Sequence, residues 1–185
     1  MKALKAEIRV IGIDDGGAQS VRRIFVGAIF RGGSWLDGVI VSHLDVSSSD
    51  LGRELGVAVL ESRFYQELRF AILHGSFLNP VEPTVVEFAH TSKLPTIAVL
   101  GRRQSRAADR IAARMKRAVS FRLCQQIPLL CIDLTKEHVE AVFRITCTRG
   151  SLPEPVRVAR LITSVARARL PKRLNSRRVE FRAGS

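Results

Sequence analysis

Two adjacent carboxylates close an apolar run near the start of the chain, in "RVIGIDDGG", Arg9 to Gly17. A carboxylate at the end of a buried strand costs free energy unless it is paired or binds a cation. Together with a second carboxylate brought from elsewhere, Asp14 would suit Mg²⁺, which takes oxygen ligands and leaves room for water and phosphate. Such ions activate water for phosphodiester cleavage. The same residues also spell a turn, since Asp-Gly and Gly-Gly are strong turn signals. The local sequence alone favours the turn over a metal site. We assign Asp15 to the turn and Asp14 to the sheet, because side chains alternate along a strand and two neighbours cannot both point into one site.

The elements that must position these residues follow from periodicity. Ile8 to Asp14 reads as a buried strand, "RRIFVGAIFRGG" as a second and "SWLDGVIVSHLDV" as a third, joined by Gly-rich links that suggest hairpins. A helix is expected from about Leu51 to Arg63, opened by "SSSD". Then come a buried strand at "LRFAILHG", a helix from Val81 to Thr91, a strand at "LPTIAVLG", and a long helix from Ser105 to about Val119. "IPLLCIDL" is expected to be the last strand, Thr135 to start a helix, and Pro153 to start a final helix reaching about Arg169. The order predicts an α/β protein: a mixed sheet, three antiparallel strands followed by alternating helices and strands, with helices on both faces. Residues 1–169 are expected to form one domain and 170–185 a basic, mobile tail. The end of the first strand would sit near the middle of the sheet, where strand ends converge.

Charge narrows the partners. Residues 1–100 carry 10 Lys+Arg and 11 Asp+Glu, and residues 101–185 carry 20 and 6, so the net charge of +13 resides in the second half as +14 against −1. Most of it is Arg, whose fork grips phosphate. Arg103, Arg106, Arg110, Arg114 and Arg117 recur at helical spacing, opposite Ala107, Ile111, Met115 and Ala118. Arg157, Arg160 and Arg167 share a face of the final helix. Aromatic residues suited to base stacking are scarce, so phosphate contacts would dominate. No apolar run is long enough to span a bilayer, and the start of the chain lacks a signal-peptide pattern. Cys124, Cys131 and Cys147 make no CxxC pair, and the four histidines lack zinc spacing, which suits a reduced cytoplasmic setting.

Five stretches in order, "AEIRVIGIDDG", "FRGGSWLDGVIVS", "LRFAILHGS", "LPTIAVLGRR" and "TRGSLPEPVRVARLI", resemble an uncharacterised, mainly archaeal family, domain of unknown function ninety-nine, which is similar to endonuclease V. The resemblance implies a ribonuclease H-like fold, a divalent cation (Mg²⁺ or Mn²⁺) and a nucleic-acid substrate. It implies Asp14 as the first-strand carboxylate and points to Asp50, with Glu54 one turn later, where endonuclease V has a Glu. His74 stands where that enzyme has an Asp. Gly101, followed by Arg102 and Arg103, falls near its Lys, and Arg160 stands where it has a His. The aromatic-proline wedge segment by which endonuclease V opens nucleic acid has no counterpart before the first helix. Asp14, Asp50 and His74 are the candidate catalytic residues, with Asp14 and Asp50 as metal ligands. Arg102, Arg103, Arg106, Arg110, Arg157 and Arg160 are the candidate nucleic-acid contacts. The expected function is nucleic-acid binding, DNA or RNA, on a scaffold with an eroded metal site. The alternatives are an active Mg²⁺- or Mn²⁺-dependent endonuclease and an interaction protein for an acidic partner.

Overall fold

The computed structural model describes residues 5–17, 22–124, 126–169 and 179–182. Its frame is one mixed sheet in the order β6-β7-β5-β4-β1-β2-β3-β8. The three parallel strands are β1 (Arg9–Asp14), β4 (Leu68–His74) and β5 (Thr96–Val99). β2 (Arg22–Arg31) and β3 (Trp35–Asp45) form the expected antiparallel ribbon beside β1. Their link turns at Gly32, whose φ of +62° favours glycine. At the other edge β7 (Ile127–Ile132) runs antiparallel to β5, and β6 (Ala118–Leu123) antiparallel to β7. β8 (Val179–Arg182) pairs with β3. This places four residues of the expected tail in a strand, and the tail's residues 170–178 and 183–185 lie outside the described residues.

Alternation along the strands builds two cores. Ile11, Ile13, Phe25, Ile29, Ala71 and Leu73 pack on α1 (Leu51–Leu60), α2 (Val81–Ser92) and α3 (Ser105–Arg114). Val10, Ile72, Ile97 and Leu129 face α4 (Lys136–Thr146) and the start of α5 (Glu154–Arg169), while Val26, Ala28 and Val39 surround Ala159 of α5. Helices therefore cover both faces, as expected. α5 lies hard against β1, because a Cβ on Gly12 would come within 2.4 Å of the Pro155 carbonyl carbon and the Val156 nitrogen. Only a glycine admits that approach. No helix among the described residues is long and apolar enough to cross a membrane.

Three expectations change. The helix after Ser105 ends at Arg114 rather than Val119, because Met115 turns to extended backbone (ψ 111°) and Ala118–Leu123 enters the sheet. "AVSFRL" pairs residue by residue with β7, so sheet hydrogen bonds outweigh local helical preference there. "IPLLCIDL" forms β7 and is not the last strand, because β8 (Val179–Arg182) follows it. The basic stripe is also shorter than expected. Arg117 is off the helix and paired with Asp133, and Arg114 pairs with Glu82 at 2.6 Å.

Candidate functional site at the ends of the parallel strands

The parallel strands β1, β4 and β5 all end at one edge of the sheet, and the residues that follow them gather there. Asp14, the last residue of β1, has the same parity as Val10 and Gly12, so it points to the α5 side. His74, the last residue of β4, has the parity of Ile72 and points to the same side. Their side chains meet, with His74 Nδ1 2.5 Å from Asp14 Oδ2. The other Asp14 oxygen accepts from the Gly16 N–H at 2.5 Å, and the Asp14 backbone carbonyl accepts from Thr163 Oγ1 of α5 at 3.2 Å. The Asp14 side chain is 1% exposed and that of His74 is 25% exposed.

Asp15 faces the other way and has a different set of partners. Arg23 Nη1 of β2 donates to Asp15 Oδ2 at 2.5 Å and to Ser76 Oγ at 2.6 Å. Ser76 donates to Asp15 twice, through Oγ at 2.8 Å and its N–H at 3.2 Å, and Gly17 N–H donates at 3.1 Å. Asp15 is fully buried. Gly75 makes this packing feasible. Its φ of +136° favours glycine, and a Cβ there would sit 2.5 Å from Asp15 Oδ1. The two aspartates thus sit back to back, one tied to an imidazole and the other to a guanidinium. Each is satisfied as buried charge requires.

The remaining candidates distribute as follows. Asp50 is exposed at the N-cap of α1, with no side-chain capping bond and no hydrogen bond to Asp14 or His74. Glu54 accepts from Ser48 Oγ at 3.0 Å. Arg102 and Arg103 follow β5 at the same sheet edge as Asp14, and Arg106 and Arg110 continue the exposed surface along α3. Arg160 is exposed on α5. Among the described residues none of these five arginines pairs with a carboxylate. Arg157 differs, because Nη2 lies 2.6 Å from Glu154 Oε2. The Arg157 hydrogen bond holds the Glu154 carboxyl below the usual glutamate range, against the opposing effect of burial. Arg160 makes no ion pair with Asp14, whose two carboxylate oxygens are held by His74 and the Gly16 N–H. Arg167, one further residue of the α5 face, donates from Nη1 to the Gly16 carbonyl at 3.1 Å. Burial pushes the Cys131 thiol up to about 12, so it is no nucleophile.

Arg23, Ser76 and Thr163 were invisible as site residues in the sequence. Arg23 looks like one more residue of an edge ribbon. "HGS" carries the one usable signal, a Gly-Ser step directly after a strand-end histidine.

The endonuclease V resemblance implies a divalent cation at this edge, and the donors present can be tested for it. Mg²⁺ wants oxygen ligands, usually one or two carboxylates. Asp15 is already neutralised by Arg23, Asp14 gives one oxygen to His74 and the other to a backbone N–H, and Asp50 joins neither. Among the described residues, no three His, Cys, Asp or Glu side chains group so as to hold a metal ion. The donor set as arranged does not fit a Mg²⁺ centre.

Comparison with known proteins identifies relatives of the chain. A UPF0215 protein of Methanosarcina acetivorans is 30% identical over 181 residues, covering 87% of this chain and 91% of its own. A UPF0215 protein of Methanothermobacter thermautotrophicus is 31% identical over 188 residues, covering 88% and 89%. A crystal structure of a protein of unknown function from Archaeoglobus fulgidus superposes with a TM-score of 0.68 at 21% identity, over 85% of this chain and 96% of that one. Argonaute of A. aeolicus shares the fold at a TM-score of 0.55 and 11% identity, over 97% of this chain but 31% of its own. The family model described as endonuclease dU matches residues 6–167, the span that runs from the strand before Asp14 to Arg167 at the far end of the site, and the chain belongs to that family.

Proposed function

We propose that the protein binds nucleic acid along the edge where the parallel strands end, on a ribonuclease H-like scaffold whose carboxylates are committed to a histidine and an arginine. The observation that carries this is a set of exposed arginines at that edge and on the helices α3 and α5 beside it. Arg102, Arg103, Arg106, Arg110 and Arg160 are exposed and, among the described residues, without carboxylate partners. Arginines outnumber acidic residues here, Asp109 beside Arg110 being the exposed carboxylate on α3, and an excess of one sign favours a polyanion. With few aromatic side chains nearby, the contacts fall on phosphates, which position a strand without reading its sequence.

The test is affinity for unmodified and uracil-containing oligonucleotides, single- and double-stranded, DNA and RNA, across a salt series. Log affinity is expected to fall linearly with log salt, by about 0.9 per phosphate neutralised on duplex DNA. Reversing charge at Arg106 and Arg110 lowers that slope by about 1 per residue and leaves preference among sequences unchanged. A flat salt response, or no binding at low salt, overturns the proposal and favours an acidic protein partner. Membership of the endonuclease dU family supports a second reading, Mg²⁺- or Mn²⁺-dependent cleavage of DNA or RNA involving Asp14 and Asp50. Cleavage that appears only on adding either cation, and that is lost in Asp50→Asn, would establish that reading.

A further inference from the structure

We infer that the outward ridge of α5 docks an acidic amphipathic helix of a partner protein, which lays its apolar face on Leu161 and Val165 and its carboxylates against Arg160 and Arg167. The ridge lies beyond the nucleic-acid reading, because its apolar side chains offer nothing to a phosphate. Arg160 is the residue the two surfaces share.

The apolar half of the surface is a second stripe on one helix. Leu161 is 53% exposed and Val165 56%, two of the four large apolar side chains that are exposed among the described residues. They stand one turn apart on α5, so they share a face. Val158 and Ile162 flank them, half-buried against Val26, Ala28 and Val39 of the sheet. Val158, Leu161, Ile162 and Val165 follow the i, i+3, i+4, i+7 spacing by which a helix buries one stripe. α5 already buries another, Val156, Ala159 and Thr163, against the strands. It packs on β1, β2 and β4, and no helix among the described residues covers its outer side. Contiguous apolar side chains left on a surface mark an interaction site.

Charge selects the occupant. Arg160 and Arg167 run along one flank of the ridge, two turns apart, and both are exposed. The carboxylate of α5, Glu154, is buried and paired with Arg157. A second copy of α5 therefore brings no free carboxylate to meet these cations. Residues 170–178 carry four Lys or Arg and no carboxylate, so the chain's own continuation has the wrong sign. An acidic helix has the right one. An anionic bilayer has it too, but a helix lying in a membrane surface sinks a whole apolar face, and α5 has committed most of its own to the sheet. The spacing then sets the partner's pattern. It needs apolar residues at i, i+3, i+4 and i+7, and carboxylates two turns apart, about 10 Å, along one flank. Recognition of this kind is that of an amphipathic helix laid on an apolar surface.

The probe is a synthetic peptide of about four turns, titrated into the full chain. It has leucines at i, i+3, i+4 and i+7 and glutamates two turns apart on one flank. Its control has the same composition in permuted order. The patterned peptide is expected to bind and to shift the Leu161 and Val165 methyl signals, and the permuted one to bind at least about tenfold more weakly. Leu161→Gln with Val165→Gln is expected to melt as wild type does, since both side chains are exposed. It is expected to lose about 10- to 100-fold in affinity for the peptide, the effect of no longer covering two half-exposed apolar side chains. Its oligonucleotide affinity is expected to be unchanged. Arg160→Glu is expected to weaken binding of the glutamate peptide and to strengthen that of a lysine-flanked version, which an apolar contact alone would not do. Equal binding of patterned and permuted peptides overturns the inference, because only general attraction to a basic protein is then left. So does absence of binding, or a fall in oligonucleotide affinity in the double variant, which makes the ridge part of the nucleic-acid surface. Three other results overturn it by assigning the ridge elsewhere. A dimer that the double variant abolishes assigns it to a second copy. Contacts of the Leu161 methyls with residues 170–178 in the free protein assign it to the chain itself. Binding to phosphatidylserine vesicles that the double variant loses, with peptide binding unchanged, assigns it to a membrane.

Discussion

Replacing Arg23 tests whether the charge of Asp15 is a buried, neutralised part of the scaffold. Asp15 is fully buried and Arg23 is largely so, with 2.5 Å between them, and Arg23 also bonds Ser76 at 2.6 Å. Arg23→Met keeps most of the aliphatic stem and removes the guanidinium. The carboxylate is then left in the interior with only Ser76 and the Gly17 N–H to solvate it. Stranding one member of a buried pair costs about 3–5 kcal/mol. For a chain of this size each kcal/mol lowers Tm by about 2–4 °C, so a fall of roughly 6–20 °C is expected. Asp15→Asn is expected to cost less, since it removes the charge, keeps an oxygen for the same donors, and leaves Arg23 nearer solvent. The double variant is expected to be more stable than Arg23→Met alone, because the stranded charge is gone. Thermal melts and urea titrations of the four proteins complete the cycle, with m unchanged if only stability moves. An Arg23→Met variant that melts within a degree of wild type would refute the reasoning. So would strictly additive losses, which would mean that the two charges do not act as a pair.

Two further outcomes follow from the packing and the charge pairs. Gly12→Ala is expected to destabilise by about 1–3 kcal/mol or more, since its Cβ would meet α5 backbone at 2.4 Å. Gly101→Ala, whose Cβ meets only the Gln104 Oε1 atom at 3.4 Å, is expected to change stability by less than about 0.5 kcal/mol. Equal melts for the two would contradict the close contact of α5 with β1. The Glu154 carboxyl is held low by Arg157, so its folded value lies below its unfolded one. That contribution is present above the usual glutamate range and is lost as pH falls through the lower folded value. Glu154→Gln is therefore expected to lose less stability than wild type between neutral pH and that acid range. Acid limbs that superpose in Tm measurements would refute it. Asp37 adds to the same limb in both proteins, because hydrogen bonds from Arg31 and Arg9 outweigh the upward push of its burial.

What was legible in the sequence was local. Apolar runs bounded by Gly and Pro marked β1 to β5 and β7, because a strand buried on both faces needs continuous apolar residues whatever its neighbours. Thr135 and Pro153 marked two helix starts, because orphan N–H groups and a fixed φ act within one turn, and Thr135 Oγ1 does accept from the His138 N–H. The end of α3 was not legible. Its register passes smoothly into "AVSFRL", and only the presence of β7 as a pairing partner makes those residues a strand. The basic stripe was over-read for the same reason, since periodicity cannot see that Glu82, Asp133 and Glu154 lie within reach of Arg114, Arg117 and Arg157.

The site divides along that line. The sequence by itself determined that Asp14 and Asp15 end a buried strand, and that alternation must turn them to opposite sides. It also determined that the second half of the chain presents an excess of arginine. Only the tertiary structure decided their partners. His74 is 60 residues from Asp14, and becomes its neighbour because β4 pairs in parallel with β1 and ends at the same edge. Arg23 reaches Asp15 because β2 returns antiparallel beside β1, and Thr163 meets Asp14 because Gly12 lets α5 lie directly on the strand. A buried charge is stabilised by whatever lies within about 3 Å of it, and contacts at that range depend on strand order and register, which the local sequence does not encode.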